Sequence, residues 1–209
     1  MRHDCRVAEG YLKGRIRRED IITTAVGVYA EAGYHASSLR EIARRVGITH
    51  AGLLYYFPTK EALLAAVLER RDAEDSEREH LAVPPGLDAL RRLIALAGYN
   101  VRHPGIVDVY SRLAAEAVAA DHPAHDYFER HYATVRRYVV DSFKVLAARG
   151  ELREGVDPEY AGLNLVALMD GLQVQWLSNG GAVDLVGALR FYLQDLLTVP
   201  FDQGVPNDT

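Results

Sequence analysis

Residues 38–57 read SLREIARRVGITHAGLLYYF, and this stretch carries the strongest structural signal in the chain. Ser38 and Glu41 form the S-x-x-E pattern of a capping box, which marks the start of a helix. Gly47 follows the last turn of that helix, where a glycine in the left-handed conformation ends a helix at low cost. Thr49 can then cap a second, shorter helix. The sequence therefore predicts two helices joined by a tight turn.

The apolar residues of this stretch have the spacing of a helix-turn-helix motif. They are Ile42, Val46, Ile48, Leu53 and Tyr56, and the small Ala43 allows the two helices to cross closely. An ordinary helical hairpin explains these positions but not the short second helix, whose free face carries His50, Gly52 and Tyr55. Gly52 costs about 1 kcal/mol relative to Ala inside a helix, and the close approach of a DNA strand would justify that cost. The pattern favours a DNA-binding motif.

Apolar residues recur at helical spacing through the rest of the chain, and glycines and prolines divide it into segments. The expected helices lie near residues 15–32, 38–46, 49–56, 59–81, 87–102, 105–119, 123–149, 158–178 and 183–198. The sequence therefore predicts an all-α fold of about nine helices. The expected domains are an N-terminal arm with the helix-turn-helix domain at 1–60, a larger helical domain at 61–199 and a loose tail at 200–209.

Charge is distributed unevenly along the 209 residues, whose net charge is −5 at pH 7. Residues 1–60 contain ten Lys and Arg and six Asp and Glu, a balance of +4, so the remainder carries −9. A basic head on an acidic body suggests that the head meets a polyanion, and a chance fluctuation is the alternative. The composition, 49% apolar and 25% charged, is that of a folded protein.

The sequence also predicts the compartment. No uncharged apolar run reaches the ~18 residues that a membrane span needs, and the N-terminal residues do not lead into the apolar segment of a secretory signal. Cys5 is the single cysteine and has no partner for an internal disulfide. We therefore expect a cytoplasmic protein that does not contact a membrane.

Residues 18–68 resemble the N-terminal domain of the TetR (tetracycline repressor) family of bacterial transcriptional regulators. The matching runs are IITTA at 21–25, YAEAGY at 29–34, SSLREIA at 37–43, VGIT at 46–49, Leu53, and YFPTKEAL at 56–63. The rest of the chain is similar to the family only in length and helical plan. The resemblance implies a three-helix DNA-binding domain joined to a larger helical domain that binds a small molecule and forms a dimer.

By this resemblance the helix at about 49–56 is the recognition helix and lies in the major groove. Its residues expected to face base edges or phosphates are Thr49, His50, Gly52 and Tyr55. Arg40 is expected to contact a guanine, with a solvated surface arginine as the alternative. Ser38 and Lys60 are expected to contact phosphates near helix N-termini.

Two further expectations concern the edges of this surface. Arg15, Arg17 and Arg18 would form a basic arm before the first helix that reaches an adjacent groove, unless the arm is simply solvated. The family usually has a phosphate-contacting tyrosine where this chain has Leu54, which cannot donate a hydrogen bond. We expect Tyr55 or Tyr56 to make that contact instead.

A single helix-turn-helix makes few base contacts, so such motifs usually act as dimers on palindromic half-sites. The predicted helices at 158–178 and 183–198 carry apolar stripes that would form a four-helix bundle between two subunits. The expected interface residues are Leu172, Leu189, Leu193 and Leu196. The alternative is that these stripes pack on the chain's own core.

The middle helices place polar and aromatic residues among apolar ones, as a pocket for a small-molecule effector requires. The candidate residues are His103, Tyr110, Arg112, Tyr127, His131, Asp170, Gln173 and Trp176. Ordinary core packing is the alternative for each of them. Arg112 needs a partner if it is buried, which could be Glu116, Asp170 or an anionic group of the ligand.

Enzymes and metal proteins are the competing classes. His122 and His125 could share a helix face, but His131 adds no third ligand there, so no metal site is predicted. The sequence has no nucleophile elbow, phosphate-binding glycine loop or dinucleotide fingerprint, so we expect no catalytic residue and no cofactor.

The resulting prediction is a homodimeric transcriptional regulator, a repressor by family analogy. A small-molecule effector would release it from a palindromic operator in double-stranded DNA. A helical interaction module, or a metal-binding helical protein, neither of which binds DNA, is the alternative.

Overall fold

The computed structural model describes residues 2–77 and 83–202, and within them the chain is all-α, as predicted. The helices are α1 (Arg2–Ala36), α2 (Leu39–Val46), α3 (His50–Tyr56), α4 (Lys60–Glu77), α5 (Leu87–Arg102), α6 (Pro104–Glu116), α7 (His125–Ala148), α8 (Pro158–Ser178) and α9 (Leu185–Leu196). In the described part of the chain the only β pairing is an isolated bridge between Leu152 and Leu197. Residues 78–81 of the predicted fourth helix lie outside the described residues.

The N-terminal segment differs from the prediction. Helix α1 begins at Arg2, so Arg15 lies inside a helix and not in an arm that precedes it. The helix is interrupted near its end at Gly33, whose φ of 75° and ψ of 172° form a bend that L side chains rarely adopt. No helix in the described residues is long and apolar enough to cross a membrane.

The chain divides into two compact units. Unit 1 comprises Met1–Ala73 and Asp108–His125, and unit 2 comprises Glu74–Val107 and Asp126–Thr209. The predicted boundary at residue 60 falls inside unit 1, which also takes in most of α6. Helices α4 and α6 each pass from one unit into the other along the chain.

The core of unit 1 joins α1 to the helix-turn-helix. Tyr29, Ile42 and Leu53 are among its fully buried side chains. Full burial of an isoleucine or leucine side chain stabilises a fold by about 1.5–3 kcal/mol. The remaining large members with the same burial are Ile21, Ile22, Leu63, Leu64 and Leu113.

The core of unit 2 is formed by α5, α7, α8 and α9, and it includes Phe143, Leu165 and Leu189. It also includes Phe201, which belongs to the segment predicted to be a loose tail. The Phe201 amide donates to Gln194 Oε1 (2.8 Å), and Arg91 Nε donates to the Phe201 carbonyl (2.7 Å). The beginning of the predicted tail is therefore fixed, whereas residues 203–209 lie outside the described part of the chain.

Helices α7 and α8 cross at Gly162 with no room for a side chain. A Cβ atom there would lie 2.5 Å from Val140 Cγ2 and 3.0 Å from Val140 Cα. Because the second contact is with backbone, the helices would have to move apart to admit it. Gly162 therefore sets the distance between α7 and α8.

We expect Gly162→Ala to lower the free energy of unfolding by about 1–3 kcal/mol, because overpacking forces shifts of side chains and backbone. The matched control is Gly98→Ala in α5, where the added Cβ meets Val186 Cγ2 at an ordinary 3.8 Å. That variant should be neutral or more stable by up to about 1 kcal/mol, because alanine is the better helix former. Urea denaturation measures both, and equal stabilities would show that the α7–α8 crossing adapts freely.

Candidate nucleic-acid interface

Helix α2 begins and ends at the capping residues that the sequence predicts, and helix α3 begins at its predicted cap. Ser38 Oγ accepts from the Glu41 amide (3.2 Å), and Gly47, in the left-handed conformation at φ 76°, ends α2. The Ile48 amide bonds back to the Ala43 carbonyl (3.0 Å), and Thr49 Oγ1 accepts from the Gly52 amide (3.0 Å). The predicted helix-turn-helix is confirmed.

Gly52 has a reason within the motif itself. A Cβ at this position would lie 3.2 Å from Thr49 Oγ1, the oxygen that caps α3. Such a contact is tight for a carbon and an oxygen that is already accepting a hydrogen bond. Gly52 thus leaves room for the cap, independently of any approach by a DNA strand.

The outer face of α3 and the start of α2 are open to solvent. Tyr55 is 83% exposed, and Thr49 and Arg40 are exposed as well. His50 and Tyr56 are half-buried, and the Tyr56 ring meets the Tyr55 ring edge-on at 5.2 Å. Of the two tyrosines that could replace the missing phosphate contact at Leu54, Tyr55 is the more accessible.

The arginines of α2 differ in their availability. Glu41 accepts from Arg44 (2.7 and 2.9 Å) and from Arg45 (2.8 Å), and Arg45 also forms a two-pronged pair with Glu31 (2.7 and 2.8 Å). These hydrogen bonds lower the pKa of Glu41 to about 2. The Glu41 carboxylate therefore binds Arg44 and Arg45. It does not accept a hydrogen bond from the Ser38 amide, which the predicted capping box would require.

Arg40 has no ion pair or hydrogen bond with any described residue. Its guanidinium is a permanent charge with five donors in a planar fork, the geometry that suits guanine or phosphate. Of the three arginines on α2, Arg40 is therefore the one available to an external anion.

The basic residues predicted to contact phosphates at the edges of this surface differ from one another in their surroundings. Lys60 Nζ donates to the His35 carbonyl (3.2 Å) and lies 4.3 Å from the centre of the Tyr34 ring. Burial lowers the pKa of Lys60, and its phosphate contact remains a prediction. Arg15 is exposed on α1, and the Arg18 guanidinium lies over the Phe57 ring at 5.1 Å.

Two of the predicted effector residues lie in unit 1. Tyr110 is buried with the Arg71 guanidinium 3.5 Å from its ring centre. Arg112 is 53% exposed and donates to Asp108 (2.7 Å), so its partner is neither Glu116 nor Asp170. The partner of Arg112 is the carboxylate four residues before it and not the predicted one four residues after it.

The other six lie in unit 2, where they differ in burial. Gln173 and Trp176 are buried on α8, and Asp170, Tyr127 and His131 are half-buried. Tyr127 and His131 are one turn apart with their rings stacked at 6.0 Å. His103 is exposed and stacks on Tyr99 at 3.9 Å.

Unit 2 also has a surface groove of about 570 Å³ between α7 and α8. None of the predicted effector residues lines it. Its lining residues are Arg136, Arg137, Val140, Asp141, Lys144, Glu159, Tyr160 and Leu163.

The predicted interface residues need correction. Leu189 and Leu193 are 0% exposed within one chain, where they belong to the core of unit 2, so they cannot form a surface between two copies. Leu172 and Leu196 are half-buried. The exposed apolar residues of α8 and α9 are instead Tyr160, Leu163, Val174 and Phe191. Helical periodicity showed that these helices have apolar stripes but not which stripe faces inward.

Two family models match the chain. The model for bacterial regulatory proteins of the tetR family covers residues 21–67, and the model for the C-terminal part of BetI-type transcriptional repressors covers residues 100–198. The first match contains the helix-turn-helix, and the second contains α6 to α9.

Comparisons with individual proteins agree with these matches. The chain is 26% identical to the A-factor receptor protein of Streptomyces griseus over 170 residues, which are 80% of this chain and 57% of that protein. It is 28% identical to the regulator BetI of Escherichia coli over 179 residues, 81% of this chain and 86% of that protein. A regulator from Saccharomonospora viridis solved in complex with choline has the same fold, with a TM-score of 0.73, 23% identity and coverage of 87% of this chain and 98% of that one.

Proposed function

The chain belongs to the TetR family of ligand-responsive transcriptional regulators, which are not enzymes, and we propose that it is a cytoplasmic repressor. It binds a palindromic operator as a homodimer and leaves the DNA when a small molecule binds to it. The observation that carries this proposal is the outer surface of α2 and α3, where Tyr55 is exposed and Arg40 is uncommitted. A helical interaction protein would not need an unpaired arginine at the opening of a helix-turn-helix.

The direct test is selection of duplexes from a random library with the full chain, followed by gel shifts over a salt series. Enrichment of an inverted repeat, with an affinity that falls linearly against the logarithm of salt, is the expected result. Absence of both enrichment and salt-dependent binding would favour the helical interaction protein.

Dimerisation is proposed to use the outer faces of α8 and α9. Val174 is 53% exposed and Phe191 is 78% exposed, while Ala167 and Gly171 on the exposed face of α8 permit close contact with another helix. Exposed apolar faces of this kind are what an intermolecular four-helix bundle buries. A two-fold bundle would also present two recognition helices to the two halves of a palindrome.

Effector binding is proposed for unit 2, in the neighbourhood of Gln173 and Trp176. This assignment is supported by the match to a repressor C-terminal model and by the choline-bound regulator of the same fold. His103, Tyr127, His131 and Asp170 stay in the proposed set, whereas Tyr110 and Arg112 leave it because they lie in unit 1. The buried amide of Gln173 gives the apolar core of α8 a polar group that can orient a ligand.

We expect Arg40→Ala to weaken binding to the selected duplex by ~1–3 kcal/mol and to relax the preference at one base pair in each half-site. Lys60→Ala should weaken binding to all sequences alike and reduce the salt slope. The control is Arg44→Ala, which removes an arginine that is already paired with Glu41. Equal weakening by Arg40→Ala on every sequence would assign Arg40 to a phosphate and not to a base.

We expect Val174→Glu and Phe191→Glu to give folded monomers, because each places a charge in the apolar contact between two copies. The control is Val118→Glu, which changes a valine that is 79% exposed in unit 1 and should remain dimeric. Sedimentation equilibrium measures the mass, and circular dichroism checks the fold. Dimers from both α8 and α9 variants would place the interface elsewhere.

Trp176 is the single tryptophan of the chain and reports on unit 2 directly. We expect an effector to change its fluorescence at the same concentrations that release the duplex, because the two events are linked. Choline is the first compound to titrate. A compound that releases DNA without changing Trp176 fluorescence would move the effector site away from this part of α8.

A further inference from the structure

The carboxylate of Glu116, the last residue of α6, lies against the bend at the end of α1. Its Oε2 accepts a hydrogen bond from the Tyr34 amide (3.2 Å), a contact between residues 82 apart in the chain. The backbone of Gly33 leaves no space on the other side, because a Cβ atom there would collide with Glu116 Oε1. Gly33 is therefore required twice, for its positive φ of 75° and for the approach of this carboxylate.

Tyr34 connects this bend to the helix-turn-helix. The Ser37 amide and hydroxyl both donate to the Tyr34 carbonyl (3.2 and 2.6 Å), and Ser38 is the next residue and the cap of α2. The Tyr34 hydroxyl donates to Glu61 at the start of α4 (3.2 Å). A displacement of the Tyr34 amide therefore acts directly on the residues that begin α2.

His122 closes the other side of Glu116. Its side chain is fully buried, and its ring lies 5.1 Å from the rings of both Tyr34 and His35. Nδ1 of His122 accepts from the Ala124 amide (3.1 Å), so the neutral ring carries its proton on Nε2, which lies 3.7 Å from Glu116 Oε2. Burial lowers the pKa of His122, and the nearby His35 lowers it further.

A metal ion is the competing occupant, because ligand atoms of His35, Glu116 and His122 lie within 4.8 Å of one another. A metal would need the lone pair of His122 Nε2, and the lone pair of Nδ1 is already used by Ala124. A neutral imidazole offers only one lone pair, so a metal would break the bond to the Ala124 amide. Without a metal the bond to the Ala124 amide is kept, and His122 Nε2, 3.7 Å from Glu116 Oε2, has no hydrogen-bond partner among the described residues.

We infer that Glu116 is a positioning residue, which ties the end of α6 to the first turn of the helix-turn-helix through the Tyr34 amide. The inference rests on the proposed DNA-binding function and states how α6 regulates it. Helix α6 begins at Pro104, in unit 2, and ends at Glu116, in unit 1, so a shift of α6 along its axis carries the carboxylate with it. By linkage, DNA bound to α3 acts on α6 through the same contact.

The test needs no effector, because linkage works in both directions. Amide hydrogen exchange of the full chain is measured with and without the selected duplex, for peptides that cover residues 33–38 and 108–125. In wild type the duplex should slow exchange in both segments. Glu116→Ala should speed exchange of the Tyr34 amide by at least about tenfold, because a hydrogen bond to a charged acceptor is lost. It should also abolish the effect of the duplex on residues 108–125.

Three variants separate positioning from a merely structural role. Glu116→Gln keeps an oxygen acceptor for the Tyr34 amide and should retain part of the coupling. Asp108→Asn removes an equal charge from the same helix but touches only the exposed pair with Arg112, so its exchange pattern should match wild type. His122→Asn keeps an acceptor for the Ala124 amide but removes the ring that packs on Tyr34 beside Glu116, so coupling should weaken even if Glu116→Ala fails to fold.

The outcomes are distinguishable from failure of the proposed function. If the wild-type chain selects no duplex, the DNA-binding proposal fails, while Tyr34 exchange in the free variants still decides whether Glu116 holds the bend. If DNA binds and Glu116→Ala leaves the long-range exchange effect intact, the positioning role is wrong. Protection of the Tyr34 amide by added Zn²⁺, lost in His35→Ala, would make the cluster a metal site and overturn the hydrogen-bonded arrangement.

Discussion

The helix-turn-helix depends on the burial of Ile42 and Leu53, because neither of its helices is long enough to be stable alone. Helix α2 has eight residues and α3 has seven, whereas isolated helices shorter than about 12–15 residues are marginal in water. The caps at Ser38 and Thr49 add about 1 kcal/mol each, and the exposed pairs of Glu41 contribute less. The angle at which α3 is presented is therefore set by the core of unit 1, and any group that moves α1 moves the recognition surface.

The outer surface of α2 and α3 carries few unpaired positive charges for a protein that binds DNA. The chain is acidic overall, and Arg44 and Arg45 are neutralised by Glu41 and Glu31, which leaves Arg40 as the open arginine of α2. A head that offers few free cations on this surface gains little from counterion release, so one head alone would bind weakly. Two heads held at a fixed spacing overcome this limit, because the second contact is made within the complex. In the proposed dimer the affinity for DNA would depend on that spacing and would therefore be sensitive to a small displacement of either head.

The parts of the structure that sequence reasoning predicted are those with local signals. The capping residues, Gly47 and the apolar spacing of residues 42–56 all act within a few turns, so the helix-turn-helix could be predicted. The direction in which a stripe faces has no local signal, and the prediction that Leu189 and Leu193 form an interface is wrong because both lie in the core. The predicted partner of Arg112 is wrong for a similar reason, because carboxylates four residues before and four residues after an arginine can both pair with it on a helix. The contact of Glu116 with Tyr34 had no local signal, although the glycine at 33 marked the bend that receives it.

The size of this contact suits the coupling that a regulator of this kind needs. A hydrogen bond to a charged group contributes about 1.5–3 kcal/mol, and couplings between allosteric sites typically amount to about 1–3 kcal/mol. The presence or loss of this one contact is therefore large enough to change the DNA affinity of the helix-turn-helix by the amount that such a coupling requires. A much stronger contact could not be broken by the free energy of effector binding. A much weaker one would not transmit a shift of α6 to α2 and α3. The ring of His122, whose pKa is lowered by burial, packs beside this carboxylate without adding a positive charge, and a bond from an amide to a carboxylate is among the stronger hydrogen bonds in proteins.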